Sequence, residues 1–267
     1  MSDSRDDHGL LTEAVREAGG IAMGFFRNGV EHWDKSPGDP VSEADHAIDA
    51  FLRERLCGAR PDYGWLSEET EDDPSRLERR RTWVVDPIDG TRAFIEGRAE
   101  FTVAAALVDD GRPVAAAVYN PATEEFYDAW RGAGARLNGE AIVAGETNEF
   151  SGARLLAGRR MFERAGWHAP SDLHFGAVNS IAYRMCLVAS GRYDGCVSLS
   201  GKSDWDIAAA ELVLSEAGGI TTDSLGRGFR YNEASTRHVS VIAAGRPMHA
   251  RLMDLLDSLD RPAGATW

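Results

Sequence analysis

Residues 82–94, TWVVDPIDGTRAF, run from a short apolar segment into two acids three positions apart around a proline, then leave through Gly-Thr. Pro87 has a fixed φ and no backbone donor, so Asp86-Pro87 is expected to end the ladder of a buried strand. Gly90 permits a tight turn, and the N–H groups of Gly90 and Thr91 can open a helix end that accepts an anion. A chain built this way carries Asp86 and Asp89 toward one point at the margin of its core. Carboxylates forced together repel unless protons or metal ions sit between them. Hard oxygen ligands suit Mg²⁺, which is held by a few carboxylates plus substrate phosphate. Taken alone, the stretch reads equally well as a solvated turn with an Asx cap.

The surrounding pattern frames that turn with alternating elements. Leu10–Arg27 has apolar residues at helical spacing, interrupted at Gly19-Gly20. SEADHAIDAFLRERL from Ser42 is a clearer helix, with Ala44, Ile48, Phe51, Leu52 and Leu56 on one face and Ser42 with Asp45 as a capping box. Residues 100–130 read as an antiparallel meander turning at Asp110-Gly111 and near Asn120-Pro121. Ser180–Gly191 is expected to be helical, YDGCVSLS a strand, Ile207–Ala217 a helix closed by Gly218-Gly219, HVSVIAAG a strand and Pro247–Leu259 a helix. A meander followed by alternating elements predicts a layered α/β protein, with two lobes meeting near residues 146–152.

Composition narrows the function. The 267 residues allow one large domain or two small ones, and 43% hydrophobic with 27% charged residues is ordinary for a soluble globular protein. A formal net charge of −14 argues against nucleic acid as the main partner. An anionic substrate would then need imported positive charge, which divalent metal supplies. Cys57, Cys186 and Cys196 form no CxxC pair and read as buried, reduced thiols of a cytoplasmic protein. The N-terminal MSDSRDDHGLL is too polar for a signal peptide, and no apolar run approaches the ~20 residues of a membrane span.

Two more stretches carry acids to comparable places. GWLSEET (64–70) sets Glu68 and Glu69 where a strand would end, and SDWDIAAAELVLSEAGG (203–219) sets Asp206 at the mouth of a helix. Each has an ordinary explanation, since paired glutamates are usually solvated and first turns of helices favour Asp. Together, SEE at 67–69, DPIDGT at 86–91, WDIAAAELVLSEAGG at 205–219 and KSPGDPVSEAD at 35–45 resemble the inositol monophosphatase family of metal-dependent phosphatases. Order and separation agree from about residue 9 to 259.

That resemblance implies an α/β (α+β) fold, a layered αβαβα sandwich forming one domain over 1–267, with lobes at 1–148 and 149–267. It implies a phosphoric monoester hydrolase (EC 3.1.3) using two to three Mg²⁺ ions, sensitive to lithium and commonly homodimeric. Glu68, Asp86 and the Ile88 carbonyl would hold a first metal, Asp86, Asp89 and Asp206 a second, and Glu68 a third through water. Thr91, hydrogen-bonded to Asp45, would orient a metal-bound water and take its proton, while Asp89, Gly90, Thr91 and Asp206 surround the phosphate. Lys35 would be a loop cation near the third metal, and Glu69 would orient Glu68 or the metal waters.

The substrate is expected to be a small phosphorylated metabolite. Arg92-Ala93-Phe94 and Leu199 depart from the residues seen in inositol-specific members, and residues 100–121 look more like the 3′(2′),5′-bisphosphate nucleotidases. Arg92, Arg184 or Lys202 could then meet a second phosphate of 3′(2′)-phosphoadenosine 5′-phosphate. Inositol monophosphate is the companion candidate, with histidinol phosphate or a sugar phosphate as alternatives. A different class of function, a regulatory binding protein that keeps the fold without catalysis, is the competing reading. A retired enzyme is free to lose Glu68, Asp86, Asp89, Thr91 or Asp206, and all five are present.

Overall fold

The computed structural model describes residues 2–36 and 38–259; Met1, Pro37 and residues 260–267 of the expected domain lie outside the described residues. The chain runs α1 (Ser2–Asn28), β1 (His32–Ser36), β2 (Asp39–Ser42), α2 (Glu43–Ala59), β3 (Gly64–Ser67), a 3₁₀ turn (Pro74–Glu78), β4 (Arg81–Asp89) and α3 (Thr91–Ile95). The meander follows as β5 (Thr102–Asp109), β6 (Arg112–Asn120), β7 (Glu125–Trp130), β8 (Ala135–Leu137) and β9 (Glu140–Ile142). Then come β10 (Arg154–Leu156), α4 (Arg159–Arg164), β11 (His174–Gly176), α5 (Ile181–Ala189), β12 (Gly195–Ser198) and β13 (Lys202–Ser203). The remainder is α6 (Asp204–Glu216), β14 (Gly219–Thr222), β15 (Arg237–His238), β16 (Val241–Gly245) and α7 (Arg246–Ser258).

A seven-stranded sheet orders β3-β4-β5-β6-β7-β8-β9, and a five-stranded sheet orders β11-β10-β12-β16-β14. Strand alternation sorts neighbouring residues into different layers. Val84 packs inward with α5 and α6, whereas Val85 packs outward with Leu11, Ile48 and Leu52 of α1 and α2. In the second sheet Ala243 joins the α5–α6 layer, while Ile242 and Ala244 pack with Met248 and Leu252 of α7. The result is the five-layer helix–sheet–helix–sheet–helix sandwich, with α5 and α6 in the middle layer. No helix among the described residues is long and apolar enough to cross a membrane.

Several local expectations hold and several change. The Asp110-Gly111 turn has both residues at positive φ, 49° and 75°, the backbone that joins two strands with a right-handed twist. Cys186 and Cys196 are buried, but Cys57 is only half-buried; all three are free thiols. Gly19-Gly20 does not interrupt the first helix, which begins earlier than expected and runs unbroken from Ser2 to Asn28. Helix propensity loses here to close packing: a Cβ on Gly19 would lie 2.3 Å from the Tyr119 ring of β6, so the missing side chain is what lets α1 sit on the sheet. Gly19→Ala should destabilise the protein by about 1–3 kcal/mol, read from the urea midpoint. Gly20 has nothing within 4 Å of the same virtual atom, so Gly20→Ala should raise the midpoint modestly.

Candidate active site

β4 does not end at Asp86-Pro87. Asp86 pairs with Ala104 and Asp89 with Thr102, so β4 takes three steps where β5 takes two. That is a β-bulge, a place where a strand tolerates a proline because one residue leaves the ladder. The bulge also reverses the alternation. Val84 and Asp86 share the inward face, yet Ile88 belongs to the outer cluster with α1 and α2. Asp89 therefore turns inward again beside Asp86, although residues three apart on a regular strand would face opposite ways. Immediately afterwards Gly90 adopts φ 97°, and a Cβ there would lie 2.7 Å from the Glu100 carbonyl. Glycine is the residue that turn accepts.

Helices of the middle layer complete the constellation. Asp206 stands in the first turn of α6, which begins three residues before the expected Ile207, and forms a reciprocal capping box with Ser203. One of its oxygens accepts the Ser203 backbone N–H. Asp89 Oδ2 accepts the Ser180 hydroxyl at 2.5 Å and the Ala182 N–H at 2.6 Å, so the start of α5 fixes its direction. Oxygens of Asp86, Asp89 and Asp206 all lie within 4.8 Å of one another. Ser180 was not anticipated as a site-building residue; its signal was its place as N-cap ahead of the apolar IAYRM run.

The electrostatics are those of crowded acids. Asp86 is 1% exposed, and neither carboxylate oxygen has a hydrogen-bond partner. Burial, then the charges of Glu68, Asp89 and Asp206, push its pKa well above the ordinary carboxyl value. Asp89 is raised to about 6 by burial and by Asp206, against the opposing bonds from Ser180 and Ala182. Burial raises Asp206 too, countered by the Ser203 bond and by the charges of Lys202, Arg237 and His238. A buried carboxylate without donor or counter-ion, flanked by two others, is an arrangement that a cation relieves, and an all-oxygen set fits a hard divalent ion.

The remaining acids sit around this core. Glu68 follows the end of β3, and burial raises its pKa to about 7 despite Lys35. Lys35 Nζ, on the β1–β2 hairpin, lies 3.0 Å from Glu68 and 2.8 Å from Glu69. Burial lowers the Lys35 pKa, but the two glutamates more than offset it and hold the ammonium above its ordinary value. Asp45 closes its capping box on Ser42 through Oδ2 and is raised by burial to about 6. Thr91 Oγ1 is 2.9 Å from the Ile88 carbonyl and 3.3 Å from Asp45 Oδ1, so its one proton has the carbonyl as the nearer acceptor.

The cations divide. Arg92 donates to the Gly38 carbonyl and ties α3 to the β1–β2 hairpin. Arg184 is held by the Val178 and Asn179 carbonyls. Lys202 lies on β13, where its charge reaches both Asp89 and Asp206. Glu216 accepts the N–H groups of Gly132 and Gly134 and secures the turn before β8.

The described residues thus set a cluster of buried acids where β4 meets α5 and α6 in a five-layer sandwich. The profile of the inositol monophosphatase family matches residues 7–260, and the chain belongs to that family. An inositol-1-monophosphatase of Rhizobium meliloti is 37% identical over 203 residues, covering 73% of this chain and 76% of that protein. The Nus factor SuhB of Salmonella typhimurium is 31% identical, covering 94% and 97%. A histidinol-phosphatase of Chlorobaculum parvum is 32% identical, covering 82% and 86%. Among solved structures, the extragenic suppressor protein suhB of Bartonella henselae superimposes with a TM-score of 0.82 at 27% identity, covering 94% of this chain and 98% of that one.

Proposed function

We propose that the protein is a Mg²⁺-dependent phosphomonoesterase acting on a small anionic phosphate ester. Membership of a phosphatase family supports the reaction class, and the unpartnered oxygens of buried Asp86 between Asp89 and Asp206 carry the metal dependence. Asp86, Asp89, Asp206, Glu68 and the Ile88 carbonyl are the residues that would hold two to three ions. When bound, those ions supply the positive charge that offsets the phosphate and stabilises the leaving oxygen.

The chain's own groups do the rest. The Gly90 and Thr91 N–H groups, at the turn into α3, offer donors to a phosphate oxygen. The Thr91 hydroxyl, whose proton rests nearer the Ile88 carbonyl, turns that proton to Asp45 Oδ1 as its oxygen takes one from the attacking water, so the water's proton is replaced on threonine and one proton ends on Asp45. Ser42 keeps Asp45 aimed by occupying its other oxygen. Lys35 steadies Glu68 and Glu69 at the cluster's margin.

For the ester, 3′(2′)-phosphoadenosine 5′-phosphate and inositol monophosphate are the substrates we favour, and the Chlorobaculum relative supports histidinol phosphate as the alternative. Phosphate release from these three and from fructose 1,6-bisphosphate should require Mg²⁺, fall to background after chelation and return when Mg²⁺ is restored. Undiminished hydrolysis by chelator-stripped protein would refute the metal-dependent reading. The relatives named Nus factor SuhB favour a second reading, in which this chain also binds a protein partner. Saturable partner binding combined with no turnover across the panel would make that role primary.

A further inference from the structure

We infer that Arg237, which bonds the N-cap of the helix that carries Asp206, selects substrates carrying a second anionic group on that side of the acid cluster. The inference rests on the phosphatase reading above and adds a residue outside the acid cluster.

β13 and β15 form a two-stranded ribbon that pairs Lys202 with His238 and Ser203 with Arg237. Ser203 is the N-cap of α6 and gives its N–H to Asp206, so this ribbon is built directly onto the cluster. Arg237 Nη1 reaches Ser203 Oγ at 3.2 Å, and Nη2 lies so close over Gly201 that a Cβ there would be 3.0 Å away. On its other side Arg237 lines a cleft of about 320 Å³ together with Arg227, Phe229, Arg230 and His238. That size is at the lower end of the roughly 300–1,000 Å³ of small-molecule sites.

The cations around this cleft are not equivalent. Arg227 is paired with Asp223 at 2.7 Å, Arg230 with Asp110 at 3.1 Å and Glu233 at 3.3 Å, and His238 with Asp204 at 2.7 Å. Arg237 has a serine hydroxyl for a partner and forms no ion pair among the described residues, and Lys202 likewise forms none. Among the arginines lining this cleft, Arg237 alone lacks an acid within ion-pair distance among the described residues. A guanidinium fork with only a serine hydroxyl as hydrogen-bond partner, close enough for its charge to act on Asp206, matches a phosphate or carboxylate arriving with the substrate.

The test compares matched pairs that differ only in the second anion: adenosine 3′,5′-bisphosphate against adenosine 3′-monophosphate, and 3-phosphoglycerate against glycerol 3-phosphate. The first pair reads a phosphate at the subsite and the second a carboxylate. In at least one pair kcat/KM should favour the member with the second anionic group by about tenfold, the scale of one charged hydrogen bond at an exposed position. Arg237→Gln should bring that ratio toward one, chiefly through KM, and Arg237→Lys should keep most of it. If Arg237 only braced Ser203, glutamine would slow both members alike and leave the ratio unchanged, which overturns the proposal. Equal efficiency toward both members of each pair in the unaltered protein overturns it as well. Phosphate released from inositol monophosphate or histidinol phosphate but from none of these four compounds overturns the subsite and leaves the phosphatase reading standing, whereas no release from any of the six removes that reading and the subsite with it.

Discussion

Asp89→Asn should reduce phosphate release at least about 10³-fold while leaving the fold intact. Asp89 uses Oδ2 to accept from Ser180 and Ala182 at the start of α5, and it contributes an oxygen to the set shared with Asp86 and Asp206. Asparagine can keep its carbonyl oxygen on the α5 donors and turn an amide NH₂ toward the other acids. Packing survives, because shape and the tie to α5 are retained, but the cluster loses a charge and a ligand atom. A cation then meets an N–H where it needs a lone pair. The measurement is steady-state phosphate release alongside circular dichroism and thermal melting. A soluble, folded Asp89→Asn protein that turns over within tenfold of the original would show that the cluster does not carry the chemistry.

Mg²⁺ should stabilise the protein more at pH 8 than at pH 5. Asp45 and Asp89 are raised to about 6, Glu68 to about 7 and Asp86 well above the ordinary value, in every case with burial as the leading cause. Each of these carboxyls therefore holds its proton more tightly in the folded protein than in the unfolded chain. Their favourable contribution is complete below the unfolded carboxyl range near pH 4, and it is lost as pH rises through about 6 to 7. Metal-free protein should melt progressively lower between pH 5 and pH 8. Bound cation replaces the lost protons, and at ~100-fold excess over its Kd the gain in Tm at pH 8 should be about 5 °C or more. At pH 5 protons compete for the same oxygens, so the gain shrinks. Asp86→Asn gives an independent check: it should raise the metal-free Tm at pH 8 and diminish the response to Mg²⁺. A larger Mg²⁺ shift at pH 5 than at pH 8 would reverse the assigned linkage.

Local chemistry was legible because it depends on few neighbours. Ser42 with Asp45 announces a capping box, and Asp110-Gly111 announces a hairpin turn; both form as written. The apolar faces of α2 and α5 follow from helical spacing, and the buried strand at 82–86 follows from its valines. The short β1–β2 hairpin, β10, β11 and β14 left little trace in the sequence. Segments of three to five residues have too little pattern to separate strand from loop, and pairing with other strands is what makes them strands. Pro87 reads as a stop in the sequence because its missing donor is a local fact. That the strand continues through a bulge depends on Thr102 being available across the sheet to pair with Asp89.

The sequence by itself determined which residue types could serve a phosphate and its cations: three acidic segments, a glycine that alone fits φ 97° at position 90, and a threonine beside it. Tertiary structure decided that they serve together. The parity reversal at the bulge lies more than 90 residues before the donors of α5 behind Asp89 and the cap of α6 behind Asp206, and packing of that middle helical layer against the sheet brings the three together. Spacing along a chain records local backbone geometry. Convergence in space is set by which apolar faces bury one another, and no short motif contains that information.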